Sequence, residues 1–96
     1  MEDKKRGMEI EISPEVAEGV YSNLAIISHS SSEFIVDFAR IMPGVQKANV
    51  KSRIILTPEH AKRLLYALQD NIARYESQNG KIAVSGQGGT ATPFIN

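Results

Sequence analysis

The stretch from Leu24 to Ile41 reads LAIISHSSSEFIVDFARI, two apolar runs on either side of three consecutive serines. The β-branched and aromatic residues of both runs favour strands, and serine hydroxyls favour a bend because they bond nearby backbone groups. The stretch therefore predicts a β-hairpin with a three-residue loop, Ser30 to Ser32, which is a common hairpin length. This register places His29 opposite Glu33 and Asp37 opposite Ala25.

The same register gathers an apolar set on one face of the hairpin, which a one-residue slip would divide between two faces. Its members are Leu24, Ile26, Phe34, Val36 and Phe38. The other face is also apolar and is interrupted by Asp37. We expect this carboxylate to pair with Arg53 of the next strand or with an arginine across a subunit boundary.

An apolar second face predicts an interface, because one helix cannot cover both sides of a sheet. The simplest arrangement is a two-fold homodimer. The alternative is that the N-terminal strand or the C-terminal tail covers this face. The candidate oligomer interface comprises Tyr21, Ile27, Ile35, Asp37 and Ile41.

Further strands are predicted on both sides of the hairpin. Residues 8–13 alternate Met8, Ile10 and Ile12 with polar residues, the period of a half-buried strand, and Pro14 ends it. The hairpin strands extend over residues 19–29 and 33–41. After the turn signal Pro43-Gly44, a fourth strand covers residues 48–57.

The apolar period then changes to that of a helix. Thr57 suits the N-cap and Pro58 the first helical position, whereas Asn79-Gly80 favours an end near Ser77. The apolar stripe of this helix comprises Ala61, Leu64, Leu65, Leu68, Ile72 and Tyr75. The predicted fold is therefore α+β: a four-stranded antiparallel meander followed by one C-terminal amphipathic helix.

Length and composition limit the chain of 96 residues to a single domain. We expect a disordered charged arm at residues 1–7, an α+β domain at 8–77, and a flexible tail rich in Gly, Ser and Thr at 78–96. The absence of cysteine, of a secretory signal and of a long apolar run favours a cytoplasmic protein without a membrane span.

Ser, His and Asp residues occur within residues 28–38, yet they do not predict a hydrolase. In the predicted register Asp37 lies four residues from the level of His29, about 13 Å at the rise of a strand, and a catalytic triad needs hydrogen-bond distance. We expect a contact between His29 and Glu33 instead. With only two histidines and no cysteine, no metal site, catalytic residue or cofactor is predicted.

Charge is unevenly distributed although the net charge is zero. Residues 7–39 carry six acidic and no basic residues, whereas residues 40–75 carry seven basic and two acidic ones. Strand pairing that cancels these charges is one interpretation, and a basic surface that meets an acidic partner or nucleic acid is the other. The candidate surface comprises Arg40, Lys51, Arg53, Lys62 and Tyr66. Few aromatic residues lie beside these cations, which disfavours single-strand binding.

Residues 18–76 resemble a bacterial and archaeal family, domain of unknown function 3467. The resemblance is carried by Tyr21-Ser22-Asn23, Phe34, Asp37-Phe38, Pro43-Gly44, Ser52-Arg53-Ile54 and Thr57-Pro58. It implies no activity and no catalytic residue. Members occur in bacterial genomes beside genes for the large RNA polymerase subunits, which implies a transcription-linked role with RNA polymerase as a candidate partner.

The order of strands and helix is also similar to that of export chaperones and of single-strand DNA-binding coactivators, an analogy of fold that does not establish function. We expect a non-enzymatic, homo-oligomeric interaction module. The alternatives are a nucleic-acid-binding module that uses the basic strip of the fourth strand, and a small chaperone that uses the apolar sheet face.

Overall fold

The computed structural model describes residues 8–84, and it confirms an α+β arrangement with a C-terminal helix. The elements are a short helix α1 (Pro14–Ala17), strands β1 (Leu24–His29), β2 (Phe34–Arg40) and β3 (Asn49–Leu56), and helix α2 (Pro58–Asn79). The strands form one antiparallel sheet in the order β1-β2-β3. The predicted arm at residues 1–7 and most of the predicted tail, residues 85–96, lie outside the described residues.

The sheet has three strands in the described part of the chain instead of the four predicted. The missing one is the first predicted strand, at residues 8–13. Alternation shows that a segment can be half buried in a sheet, but a strand also needs an edge to pair with. Here Ser13 begins α1 instead, since its side-chain oxygen accepts a hydrogen bond from the Val16 backbone N–H at 3.3 Å. Gly19 then turns the chain with a φ of 83°, and β1 begins only at Leu24.

The predicted hairpin register is wrong by one residue. His29 pairs with Phe34 and Ile26 with Asp37, so four residues, Ser30 to Glu33, connect the strands. The physical reason lies in Ser30, whose backbone N–H donates to the Glu33 carbonyl and whose side-chain oxygen accepts from the Ser32 and Glu33 N–H groups. These three bonds stabilise a connection of four residues, whereas the pattern of apolar residues alone had indicated three.

The observed register divides the sheet into two faces, because residues directly opposite each other share a face. The helix-side face, which α2 approaches, carries Ala25, Ile27, Phe34, Val36, Phe38, Ile54 and Leu56. The open face carries Leu24, Ile26, Ile35, Asp37, Arg53 and Ile55. Leu24 and Ile26 therefore lie on the opposite face from Phe34, Val36 and Phe38, contrary to prediction. On the helix-side face, Ile54 and Leu56 of β3 take the place that was predicted for Leu24 and Ile26.

The ladder between β2 and β3 contains one irregularity. Phe38 pairs with Ser52 and Ala39 with Val50, which leaves Lys51 as an extra residue on β3. A bulge of this kind increases the local twist of an edge strand.

Helix α2 follows β3 directly. Its predicted position, its N-cap at Thr57 and its end before Gly80 are confirmed. The Thr57 hydroxyl accepts a hydrogen bond from the His60 backbone N–H at 3.1 Å, and Pro58 occupies the first turn. The helix ends at Asn79, two residues beyond the prediction, and Gly80 has a positive φ of 92°. Two ion pairs form on its outer side, Glu59 with Arg63 and Asp70 with Arg74.

The core of the chain is very small. Among the apolar side chains of residues 8–84, only Val36 and Ala39 are buried, with 8% and 0% of their surface exposed. No residue of α2 is buried. A helix whose apolar stripe is only about half covered is marginal, because most helical stability in proteins comes from packing an amphipathic face.

Candidate interaction surface

The apolar stripe of α2 is an extended, partly exposed surface. Its side chains retain between 39% and 54% of their surface in water: Leu64, Leu65, Leu68, Ile72 and Tyr75. At 1.5 Å per residue, the stripe from Ala61 to Tyr75 is about 21 Å long. A contiguous apolar strip of that length marks an interaction site rather than an ordinary surface.

The first half of the stripe faces the sheet across an open groove of about 370 Å³. The sheet contributes Ile27, Phe34, Val36 and Leu56, and the helix contributes Pro58, Ala61, Lys62, Leu64, Leu65 and Leu68. Apart from Lys62, every side chain that lines this groove is apolar. Protein interiors are close-packed, so a space of this size and character calls for further apolar side chains.

A second depression of about 620 Å³ lies at the other end of the sheet. Its lining combines residues of the helix-side face with the segment that leads into β1: Val20, Ser22, Asn23, Leu24, Ala25, Phe38, Ser52 and Ile54. The helix-side face is thus covered loosely at one end and uncovered at the other.

Asp37 and Arg53 meet on the open face, as the sequence predicted. Arg53 Nε donates to Asp37 Oδ1 at 2.7 Å, and its Nη2 donates to Oδ2 at 2.9 Å. Arg53 holds the pKa of Asp37 below its ordinary value, first by hydrogen bonding and further by its charge, although desolvation acts in the opposite direction. Only 13% of the Asp37 side chain is exposed, whereas 60% of Arg53 is. The pair ties β2 to β3.

Ser22 and Asn23 extend the sheet beyond the first residue of β1. The Asn23 side chain donates to the Ile41 carbonyl at 3.1 Å and accepts from the Ile41 N–H at 2.8 Å, as a backbone residue of a ladder would. The Ser22 hydroxyl lies 3.0 Å from the carbonyl oxygens of both Leu24 and Ala39. Sequence reasoning did not identify this role, and two consecutive short polar side chains before a strand were the signal.

The Ser-His-Asp combination does not form a triad. His29 stacks on Phe34 with ring centroids 5.2 Å apart, where the sequence predicted a contact with Glu33. By strand parity His29 lies on the helix-side face and Asp37 on the open face. The hydroxyl of Ser30 is occupied by the turn. These residues serve the hairpin, as the bend interpretation expected.

Most cations of the predicted basic surface contact other side chains of the same chain, although only Arg53 contacts an acidic one. Arg53 binds Asp37, Arg40 lies over the Tyr21 ring at 5.5 Å from its centroid, and Lys62 lies 5.9 Å from the Tyr66 ring. Lys51, at the bulge of β3, forms no ion pair with any residue from 8 to 84. These cations do not form one continuous strip on a single face.

The candidate oligomer interface is dispersed in the observed register. Ile27 lies on the helix-side face, whereas Ile35 and Asp37 lie on the open face. Tyr21 and Ile41 flank the strands and are both exposed. The prediction of an interface remains, but these five residues do not share one surface, because the register that grouped them is wrong.

Comparison with known proteins gives one match. The profile of the family described as protein of unknown function (DUF3467) matches residues 1–84. The chain belongs to the DUF3467 family. No curated protein and no solved structure matches the chain.

The residues that carry the DUF3467 resemblance now have structural roles. Asn23 and Ser22 extend the sheet, Asp37 and Arg53 tie two strands, and Thr57 caps α2. Gly44 turns the chain between β2 and β3 with a φ of 80°. In this chain these motif residues therefore shape the fold, and none of these contacts assembles reactive groups.

Residues 8–84 contain no cluster of three or more His, Cys, Asp or Glu side chains that could hold a metal ion. They also contain no helix long and apolar enough to cross a membrane.

Proposed function

We propose that this chain is a non-enzymatic interaction module that assembles with a second copy of itself through the apolar stripe of α2. The observation that supports this proposal is the exposure of that stripe, since only two apolar side chains are buried among residues 8–84. A small domain of this kind is marginal alone, and a second copy supplies the missing apolar cover.

The chemistry of α2 favours a copy of itself as the occupant. The outer side of the helix alternates charges of both signs, paired as Glu59 with Arg63 and Asp70 with Arg74, so it needs no partner. The stripe itself consists of leucine, isoleucine and tyrosine without any charge. A two-fold axis brings the same patch of each copy together, and two identical uncharged stripes are complementary to each other in this arrangement.

The groove between α2 and the sheet extends the same interface. Leucine side chains of a partner helix that lies along the stripe would enter the space lined by Phe34, Val36 and Leu56. Obligate dimer interfaces resemble a domain core cut in half, which is the character of this surface.

Substitution of Leu68 by lysine tests the proposal, with Ala73→Lys on the charged side of the same helix as the matched control. Light scattering over a wide concentration range should show a dimer for the natural chain and for Ala73→Lys. Leu68→Lys should raise the dimer Kd by about tenfold or more, since loss of a central interface anchor costs more than about 1 kcal/mol.

Circular dichroism of each variant distinguishes loss of assembly from loss of folding. A strict monomer of the natural chain at high concentration would overturn the proposal. Stoichiometric binding of unfolded polypeptides by that monomer would support the chaperone alternative.

The partner of the assembled module is proposed from the family resemblance, which implies the transcription machinery. Lys51, Lys62 and Tyr66 are exposed positions at which such a partner would bind. Purified RNA polymerase should bind the immobilised chain and lose affinity for Tyr66→Glu. Equal binding of both chains would exclude Tyr66 from the contact, and absence of binding would remove this partner.

A further inference from the structure

Residues 8–13 form an arm with the pattern of a strand and no strand partner. Met8, Ile10 and Ile12 are exposed to 54%, 78% and 63%, and they alternate with Glu9, Glu11 and Ser13. No described backbone hydrogen bond joins residues 8–12 to the sheet. From here on, the arm means residues 8–13 and does not include the charged residues 1–7.

Strand β3 presents an edge that fits such a segment. It is the last strand in the order β1-β2-β3, so one side of its backbone has no neighbour among the described strands. Most of its eight residues are exposed, including Val50, Ile54 and Ile55. Unpaired backbone donors and acceptors along an edge are a template for another strand.

The arm and the β3 edge are opposite in charge. The arm carries Glu9 and Glu11 and no basic residue, whereas β3 carries no acidic residue and two basic ones. Arg53 already binds Asp37, so Lys51, which forms no ion pair within residues 8–84, is the cation open to the arm. The other edge, β1, contains no Lys, Arg, Asp or Glu. Opposite charges on paired strands stabilise and like charges destabilise, so charge selects β3 and also disfavours pairing of two β3 edges.

The two faces of the arm also match those of β3. If Glu9 and Glu11 lie on the open face with Arg53, strand alternation places Met8, Ile10 and Ile12 on the helix-side face. That face carries Ile54 and Leu56 of β3. The arm then adds three apolar side chains to the surface that α2 covers only loosely.

We propose that the arm of one chain forms the fourth strand of the sheet by pairing with β3 of a second copy. This inference rests on the proposed self-association and adds to it the segment that is exchanged. Within its own chain the arm does not pair with β3, although residues 14–23 are long enough to span the two strand spacings, about 10 Å, between β1 and β3. The β3 edge of a second copy is the partner that remains. Addition of a strand to an exposed edge is an established mode of recognition.

Cysteine crosslinking tests the exchange directly, because the natural chain has no cysteine. Chains with Glu11→Cys or Glu9→Cys are mixed with chains carrying Lys51→Cys under mild oxidation. Facing strand positions are within the distance that a disulfide spans, about 4.4–6.8 Å between Cα atoms. A mixed dimer should form with at least one of the two arm variants. Ser31→Cys, in the β1–β2 turn, is the matched control and should not crosslink to the arm.

The outcomes separate this inference from the proposed function. A dimer by light scattering that yields no mixed crosslink overturns the arm exchange and leaves self-association through α2 intact. A strict monomer overturns both. A chain carrying Glu11→Cys and Lys51→Cys together that closes its disulfide as a monomer in dilute solution also overturns the exchange, because the arm then pairs within one chain.

Charge reversal supplies a second measurement that needs no crosslink. Glu9→Lys with Glu11→Lys should weaken the dimer several-fold, and Lys51→Glu added to that variant should restore part of the affinity. If the arm contributes nothing, neither change moves the Kd.

Discussion

Asp37 and Arg53 form a two-point ion pair across β2 and β3, with donor–acceptor distances of 2.7 and 2.9 Å. Planar, bidentate geometry of this kind gives stronger hydrogen bonds than those between neutral groups. The pair lies on the open face of the sheet, with the apolar Ile26 directly opposite Asp37. It fixes the pairing of two strands that have little core beneath them.

Substitution Asp37→Asn should lower the free energy of unfolding at neutral pH. Asp70→Asn is the control, since the exposed Asp70–Arg74 pair on α2 contributes little. Urea unfolding followed by circular dichroism measures both. Equal stability of the two variants would show that the Asp37–Arg53 pair carries no particular weight.

The effect of Asp37→Asn should depend on pH. Folding lowers the pKa of Asp37 through Arg53, so its stabilising contribution is complete above the pKa of the unfolded chain, about 3.9. The contribution is lost as the pH falls from there through the lower pKa of the folded state. The stability difference between the natural chain and Asp37→Asn should therefore be constant near neutral pH and shrink below about pH 4.

Substitution Asn23→Asp tests the extension of the sheet by a side chain. Aspartate can still accept from the Ile41 N–H, but it cannot donate to the Ile41 carbonyl as Asn23 Nδ2 does. One lost hydrogen bond and a carboxylate beside a carbonyl should cost about 1 kcal/mol or more. Gln69→Glu on α2, where no described hydrogen bond of the side chain is lost, is the control. An effect at Asn23 no larger than that at Gln69 would contradict the proposed role.

Substitution Thr57→Ala should destabilise the chain by about 0.5–2 kcal/mol, because it removes the hydroxyl that caps α2. Thr57→Ser keeps that oxygen and should stay close to the natural stability. Thermal unfolding of the three chains side by side provides the measurement. A Thr57→Ser chain as unstable as Thr57→Ala would assign the effect to the methyl group instead of the cap.

Helix α2 was predictable from sequence because its signals are local: a threonine cap, a proline in the first turn and a glycine at the end. The ion pair of Asp37 with Arg53 was also predictable, since an isolated carboxylate on an apolar face needs a cation. The hairpin register was not predictable, because the apolar residues of the two strands are compatible with both the predicted register and the one shifted by one residue. Bonds from Ser30 and the contribution of β3 decide it.

The arm shows a different limit of sequence reasoning. Its alternation is a property of six residues, whereas strand formation is a property of a pair of segments. The same pattern fits a strand within the chain and a strand added to a second copy, and no local signal distinguishes them. The candidate interface failed as a group for a related reason, because a single-residue error in register moves side chains to the other face.

The intramolecular contacts of the cations predict weak binding of single-stranded oligonucleotides. Arg53 binds Asp37 and Arg40 lies on Tyr21, so contact with phosphate would compete with existing partners. Each phosphate contact on a single strand contributes a slope of about −0.7 to the logarithmic salt dependence, and we expect a slope no steeper than about −1.5. Asp37→Asn releases Arg53 and should increase binding at low salt, whereas Asp70→Asn should change it less. Fluorescence anisotropy with a labelled oligonucleotide measures both, and tight binding with a steep slope by the natural chain would favour the nucleic-acid alternative.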